Sequence, residues 1–364
     1  MSEWKKVKLG DILQVKKGDY ITKKEAREGI YPVILGGKEP AYFIDKYNHT
    51  GKAIVISRSG ASAGYVSFWN EPIFVTDGFL IDPKGEMTYE FLYYALKSKQ
   101  AILHKAQKGA AIPHVTPLLI GNIDFLLPDK DTQHRIATIL SRYDSLIENY
   151  QKQIKLLEEA AQRLYKEWFV DLHFPGHENT KIVDGVPEGW EKKKVGEIAN
   201  ISAGGDKPEV VTEEKTTCCQ VPIYSNGTTK EGLYGYTNKS SNIAGSITVS
   251  ARGSIGFACL RMHDYFSIVR LISIKPYQNE DLMYLFQFVK VHTFISNGAA
   301  QQQLTVPMVK AIDIVYPTGV LLKAFESAVL PIYKQIEFLK SQIRLLTEAR
   351  DRLLPKLMSG EIEI

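Results

Sequence analysis

Two short segments of this chain set an arginine among glycines and small hydroxyl residues. One is Ser57-Arg58-Ser59-Gly60-Ala61-Ser62-Ala63-Gly64, the other Ser250-Ala251-Arg252-Gly253-Ser254-Ile255-Gly256. Glycines let a backbone approach phosphate closely, and a guanidinium either clamps a phosphate or reads guanine through two hydrogen bonds. Arg58, Ser59, Ser62, Arg252 and Ser254 are therefore candidate nucleic-acid contacts. The plainer alternative is a glycine-rich hairpin carrying an exposed arginine. A second pair of segments supplies amides: Gln107-Lys108-Gly109-Ala110-Ala111-Ile112-Pro113-His114-Val115-Thr116 and Asn297-Gly298-Ala299-Ala300-Gln301-Gln302-Gln303-Leu304-Thr305. Small residues suit close contact in a groove, and glutamine pairs well with adenine. Here the candidates are Lys108, His114, Thr116, Gln301, Gln302, Gln303 and Thr305; the alternative is a polar loop capping the next element. The copies diverge most at 112–114 against 301–303, where readers of different bases should differ. Lys16, Lys17, Lys23, Lys24, Lys207, Lys230 and Lys239 suit phosphate, which sets affinity without sequence choice. Tyr234 and Tyr236 are weaker candidates that could equally pack as strand aromatics.

Other chemistries find little support. There is no Gly-x4-Gly-Lys-Ser/Thr phosphate loop; Gly51-Lys52-Ala53 comes nearest and fails on both sides. Neither an Asn/Asp-Pro-Pro-aromatic motif nor Gly-x-Gly-x-x-Gly is present. Asp77 and Asp82-Pro83-Lys84 place carboxylates near a lysine, as metal-dependent nucleases do, but the second half of the chain has no equivalent. His173 and His177 have metal-like spacing, yet Pro175 sits between them, and a solvated turn is the better reading. Cys218, Cys219 and Cys259 form no Cys-x-x-Cys pair, so no metal site is expected and a reducing cytoplasm is.

The elements that must hold these loops occur twice. Gln153-Ile154-Lys155-Leu156-Leu157-Glu158-Glu159-Ala160 returns as Gln342-Ile343-Arg344-Leu345-Leu346-Thr347-Glu348-Ala349, 189 residues on. The same shift carries Gly109-Ala110-Ala111 onto Gly298-Ala299-Ala300, Thr116 onto Thr305, Ile123-Asp124 onto Ile312-Asp313 and Pro128 onto Pro317. So long a period is a duplicated domain rather than a solenoid. Two similar halves present two similar working surfaces. Glycine-bounded β-branched runs at 53–57 and 246–250 predict strands, and 89–96 and 281–288 predict helices.

Each half closes on a longer helix. Tyr143, Ile147, Tyr150, Ile154, Leu157, Ala161, Leu164 and Trp168 fall in steps of four and three, and the shift returns Ile332, Ile336, Leu339, Ile343, Leu346, Arg350, Leu353 and Leu357. This is a heptad seam in both copies, broken only by Arg350. Pro331 is expected in the first turn of the second helix, with short helices ahead at 131–141 and 320–330. A lone seam would expose an apolar stripe, so the two helices are expected to pair with one another. The candidates for pairing and partner docking are Ile147, Tyr150, Ile154, Leu157, Leu164, Ile336, Leu339, Ile343, Leu346 and Leu353. From Tyr143 to Trp168 such a helix runs about 38 Å at about 1.5 Å per residue, or roughly 11 base pairs of B-DNA.

The resulting layout is 1–130 for one domain, 131–171 for a helix, 172–189 for a proline- and glycine-rich linker, 190–318 for a second domain and 319–360 for a second helix. The fold class is α+β. The 364 residues carry a net charge of +4, which by itself announces no nucleic acid. Eight cations nonetheless fall within the first 27 residues. No apolar run reaches a membrane span and no secretory signal opens the chain.

This order resembles the specificity (S) subunits of type I restriction–modification systems. Its marks are the Trp-x4-Leu-Gly-Asp-Ile run over 4–12, its weaker echo over 190–198, the Gly-Ala-Ala loop before Ile-Asp and a proline in both halves, and Arg163-Leu164-Tyr165-Lys166-Glu167-Trp168-Phe169-Val170-Asp171. The resemblance covers essentially the whole chain. It implies two target-recognition domains alternating with two long spacer helices that pair as an antiparallel coiled coil. It implies a non-catalytic reader of a split, asymmetric target in double-stranded DNA. Two modification subunits that methylate adenine would dock on it, with restriction subunits joining them. S-adenosylmethionine, ATP and magnesium would belong to those partners, none to this chain. A protein-binding coiled-coil scaffold and a stand-alone nuclease are the alternatives.

Overall fold

The computed structural model describes residues 4–22, 26–35, 37, 39–85, 87–105, 114–294 and 303–364. The chain forms two compact units, Met1–Gln151 with Lys340–Ile364, and Lys152–Leu339. Both units are built to one topology. In the first, a four-stranded antiparallel sheet runs in the order Leu13–Lys17, Gly78–Pro83, Lys52–Ser57, Val66–Asn70. In the second the order is Ala199–Ala203, Ile272–Pro276, Ser246–Val249, Ala258–Arg261. Each has a three-stranded sheet containing one parallel pair, Glu28–Ile34 with Phe74–Val75 and Val221–Tyr224 with Phe266–Ser267. Each also has a two-stranded ribbon, with Lys8 opposite Asp124 in one and Lys194 opposite Asp313 in the other. The architecture is mixed helix and sheet, as expected. The predicted strands and helices appear as Lys52–Ser57, Ser246–Val249, Tyr89–Ser98 and Leu282–Val291.

The central strand of the first unit is buried on both faces. Alternation sends Ile54 and Ile56 into a cluster with Phe91 and Leu92 of the helix Tyr89–Ser98. Ala53 and Val55 face the other way, with Ile34, Val75 and Leu80. In the second unit Ile247 and Val249 join the helical side. Their neighbours there are polar and satisfied: Thr248 Oγ1 accepts from Arg261 Nε at 3.0 Å, and the Ser246 and Tyr265 hydroxyls lie 3.0 Å apart. A buried polar face is tolerable only with such partners.

The long helices depart from expectation at their starts. Lys130–Tyr165 and Gly319–Ser359 are each continuous, so the segments 131–141 and 320–330 are not separate short helices but the opening turns of the long ones. Pro331 therefore stands inside the second helix rather than in its first turn. A proline there forfeits one backbone hydrogen bond. The first helix runs on through a π-helical turn, Lys166–Val170. All sixteen seam residues are buried or half-buried, whereas the off-seam Leu146, Leu156, Phe338 and Leu345 are exposed. Within the first unit, Ile136, Ala137 and Leu140 share a cluster with Leu357 and Met358. Within the second, Ala161 and Tyr165 share one with Phe325, Val329, Tyr333 and Ile336.

Segment 172–189 holds more structure than a bare linker. Ile182–Val183 pairs with Val186–Pro187, and the Phe174 ring lies 5.1 Å from that of Trp190. His177 Nδ1 meets the Phe174 carbonyl at 2.9 Å. Among the described residues no helix is long and apolar enough to cross a membrane.

Candidate nucleic-acid interface

The two classes of candidate loop meet, and they meet the same way in both units. In the first, the Arg58 loop leaves its strand at Ser57 and closes where Gly64 N donates to Ser57 O at 2.7 Å. In the second, Gly256 N donates to Ser250 O at 3.0 Å. Both closing glycines have positive φ, and a Cβ would meet the Leu103 carbonyl oxygen at 2.7 Å in one and the Phe294 ring at 2.8 Å in the other. The second loop class then docks by one backbone bond. Val115 N donates to Arg58 O at 3.0 Å, and Leu304 N to Ala251 O at 2.9 Å.

This matching sets the two arginines one residue out of register. Ser57 corresponds to Ser250 and Arg58 to Ala251, so Arg252 stands one residue further along, at the place of Ser59. The side chains differ accordingly. Arg58 is half-buried, and its Nε lies 3.6 Å from Asp77, whose carboxylate also accepts from the Ser59 hydroxyl. Arg252 is exposed, and both its Nε and Nη2 point at Gln303 Oε1, at 3.3 and 2.9 Å. An arginine held by two nitrogens has its plane fixed, as two-bond reading of a base requires.

Two side chains that the sequence did not single out complete the second cluster. Asn226 Oδ1 accepts from Ala251 N at 2.7 Å while its Nδ2 donates to Val269 O, also at 2.7 Å. It thereby ties the 225–232 loop, the Arg252 loop and the 268–271 turn together. In that turn Val269 and Arg270 both take positive φ, 53° and 62°. Their backbone N–H groups bond Gly205 O at 2.9 Å and Gly204 O at 2.8 Å. Asn226-Gly227 does carry a sequence signal for a turn. Arg270 carries none, because its turn is one residue longer than the Asp77 turn of the first unit, which defeats an ungapped comparison.

The remaining candidates divide by what holds them. Lys16 is paired with Asp82 at 2.7 Å, while its neighbour Lys17 is exposed. Burial pushes the Asp82 carboxyl up, but hydrogen bonds from Lys16 and the Tyr89 hydroxyl prevail and hold it below its ordinary value. The same contact and burial raise Tyr89 to about 12. Lys84 Nζ donates to Gly10 O at 3.0 Å. Asp77, Asp82 and Lys84 thus serve loop and strand, and the described residues hold no cluster of metal-ligating side chains. Thr116 Oγ1 accepts from Leu119 N at 3.3 Å and caps the short helix Pro117–Gly121. Thr305 occupies the matching position without a side-chain cap. His114 bridges to Ser59 through the backbone and is exposed, Ser62 is half-buried and Ser254 exposed.

Lys207 Nζ bonds the Tyr234 hydroxyl and lies 4.5 Å from its ring centroid. Lys230 is exposed at φ 48° beside Glu231 at 54°. Arg261, only 2% exposed, holds that turn from beneath, donating to Glu231 O at 2.7 Å and lying over the Tyr224 ring at 3.6 Å. Lys239 is exposed and Tyr236 half-buried. Lys23, Lys24, Lys108, Gln301 and Gln302 lie outside the described residues.

The profile of the type I restriction modification DNA specificity domain matches residues 1–159 and 187–318. The MjaIX type I restriction enzyme specificity subunit of Methanocaldococcus jannaschii is 28% identical over 341 residues, covering 86% of this chain and 78% of that protein. A putative type I specificity subunit of Mycoplasma pneumoniae is 27% identical over 363 residues, covering 94% and 95%. The crystal structure of a type I restriction–modification S subunit from M. genitalium shares the fold. Its TM-score is 0.65 at 22% identity, covering 98% of this chain and 96% of that one.

Proposed function

This chain belongs to the type I restriction–modification DNA specificity family, and from that footing we propose that it reads a split, asymmetric target in double-stranded DNA. As a specificity subunit it is non-catalytic and serves DNA sequence recognition. Domains 1–130 and 190–318 each read one part of the target, and helices 131–171 and 319–360 pair as an antiparallel coiled coil that sets the gap. Arg252 with Gln303 reads bases in the second part, and the loop of Arg58 and Ser59 with His114 reads those in the first. Lys17, Lys207 and Lys230 hold phosphates. Two modification subunits dock on the helices and methylate adenine, and restriction subunits join them, in the cytoplasm. S-adenosylmethionine, ATP and magnesium are bound by those partners.

The observation that carries this reading is the repeated closure of glycine loop on polar segment, Arg58 O with Val115 N and Ala251 O with Leu304 N. Neither a scaffold nor a lone enzyme accounts for two matched arginine-bearing loop clusters whose side chains differ between copies. The test is binding of the chain, assembled with its modification subunit, to random-sequence duplexes followed by selection. The proposal expects an enriched motif with two defined parts and a fixed gap. Assembly without any selection among duplexes would overturn it in favour of a protein-binding scaffold.

A further inference from the structure

We infer that Arg270 clamps a DNA phosphate beside the Arg252–Gln303 pair, so that the second recognition domain holds its half of the target by a contact the first domain lacks. The inference rests on the DNA-reading role proposed above. Three observations converge on this turn. Arg270 is exposed, and among the described residues its guanidinium has no carboxylate or carbonyl partner. It lines a shallow cavity with Gln303 and Thr305, next to the arginine whose plane Gln303 fixes. Its backbone is anchored on both sides while its side chain is not: Arg270 N donates to Gly204 O at 2.8 Å, and Asn226 Nδ2 to Val269 O at 2.7 Å.

Two successive non-glycine residues in the left-handed region are uncommon, and such backbones persist where surrounding bonds impose them. In the first unit the corresponding turn carries Asp77, whose carboxylate engages Arg58 and Ser59. At this place one domain restrains its cation with an acid and the other adds a second cation. Phosphate, rather than a base edge, fits Arg270. A base edge demands a guanidinium held in one plane, whereas a phosphate accepts donors from many directions. Arg252 meets the first condition and Arg270 the second.

The experiment uses the full chain assembled with its modification subunit. Binding is measured across a potassium chloride series, on a duplex bearing the selected target and on one with the target scrambled. The variants are Arg270→Asn, whose new side chain tolerates positive φ, together with Arg270→Lys and Arg252→Ala. Arg270→Asn should weaken binding to both duplexes alike by about tenfold and lower the slope of log affinity against log salt by about one. Arg270→Lys should restore most of both, and neither variant should alter the selected motif. Unchanged affinity and slope in Arg270→Asn overturn the inference. So does a loss confined to the target duplex, which would mark Arg270 as a base reader. If the unaltered protein shows no salt-dependent binding at all, the DNA-reading proposal falls together with this inference.

Discussion

Arg350 Nη1 lies 2.5 Å from Asp144 Oδ1, and the other oxygen of that carboxylate accepts from the Tyr94 hydroxyl at 2.6 Å. This accounts for the one seam position that broke the apolar pattern. By the internal repeat, Asp144 corresponds to Tyr333 and Arg350 to Ala161. In the second unit Tyr333 and Ala161 are buried in a single apolar cluster, and Gln287 Nε2 donates to the Tyr333 hydroxyl at 2.9 Å. The first unit fills the same level of the seam with a charge pair. Arg350→Ala would leave a half-buried carboxylate held by tyrosine alone, at a cost of about 1–3 kcal/mol. The double variant Asp144→Tyr/Arg350→Ala copies the second unit's pair and should recover much of that loss in denaturant unfolding. A double variant no more stable than the single one would show that the pair does not act as a unit.

Arg252→Ala should relax base preference in one part of the target only. A two-bond arginine contact discriminates by about 1–3 kcal/mol, so affinities for the preferred and altered duplexes should converge by roughly five- to a hundredfold. Gln303→Ala should do the same more weakly, because it removes the group that fixes the arginine's plane. Competition binding over single-base substitutions reads both effects.

Asn226→Ala should act through the loops it ties. Removing its carbonyl strands the Ala251 N–H, and removing its amide frees the Val269 carbonyl. Selectivity in the part of the target read through Arg252 should fall with a stability cost of about 1–2 kcal/mol, while the other part keeps its preference. An equal loss in both parts would contradict a local positioning role.

Asp77→Asn should release the half-buried Arg58 and remove an acid from the first loop cluster. Non-specific affinity at low salt should rise and discrimination in the first part of the target should fall. A drop in non-specific affinity would mean that Asp77 supports DNA contact directly.

Asp82 links stability to pH. Its carboxyl lies below the ordinary value of 3.8 because Lys16 and Tyr89 favour the ionised form over the opposing effect of burial. With the folded value the lower one, the unfolded chain takes up protons first as the pH falls. The contribution is therefore present above about pH 4 and disappears on acidification. Asp82→Asn should lower the thermal midpoint at pH 7 and lose less than the unaltered chain between pH 5 and 3. Parallel curves would dismiss the contact as a source of acid sensitivity.

What the sequence made legible follows from periodicity and repetition. The seam residues, the central strands and the two helices Tyr89–Ser98 and Leu282–Val291 are patterned over many residues, and burial enforces such patterns. Joined short and long helices were not legible at 130–142 and 319–332, because nothing local breaks either helix and a helix interior can absorb Pro331. The arginine loops were found by composition, but the one-residue offset between their arginines was not legible, because the equivalence of Ser57 with Ser250 is set by backbone hydrogen bonds. Arg270 escaped because its turn is one residue longer than its counterpart, and Asn226 because it acts through contacts between loops distant in sequence. No spacing rule reports such contacts.

The most direct test is to express this chain with its modification subunit in a host free of other adenine methylation and to map methylated adenines across the genome. The account predicts one motif with two defined parts separated by a fixed gap. It further predicts that Arg252→Ala degenerates one part and leaves the other and the gap intact. Methylation at a continuous motif, or degeneracy spread over both parts in Arg252→Ala, would contradict it.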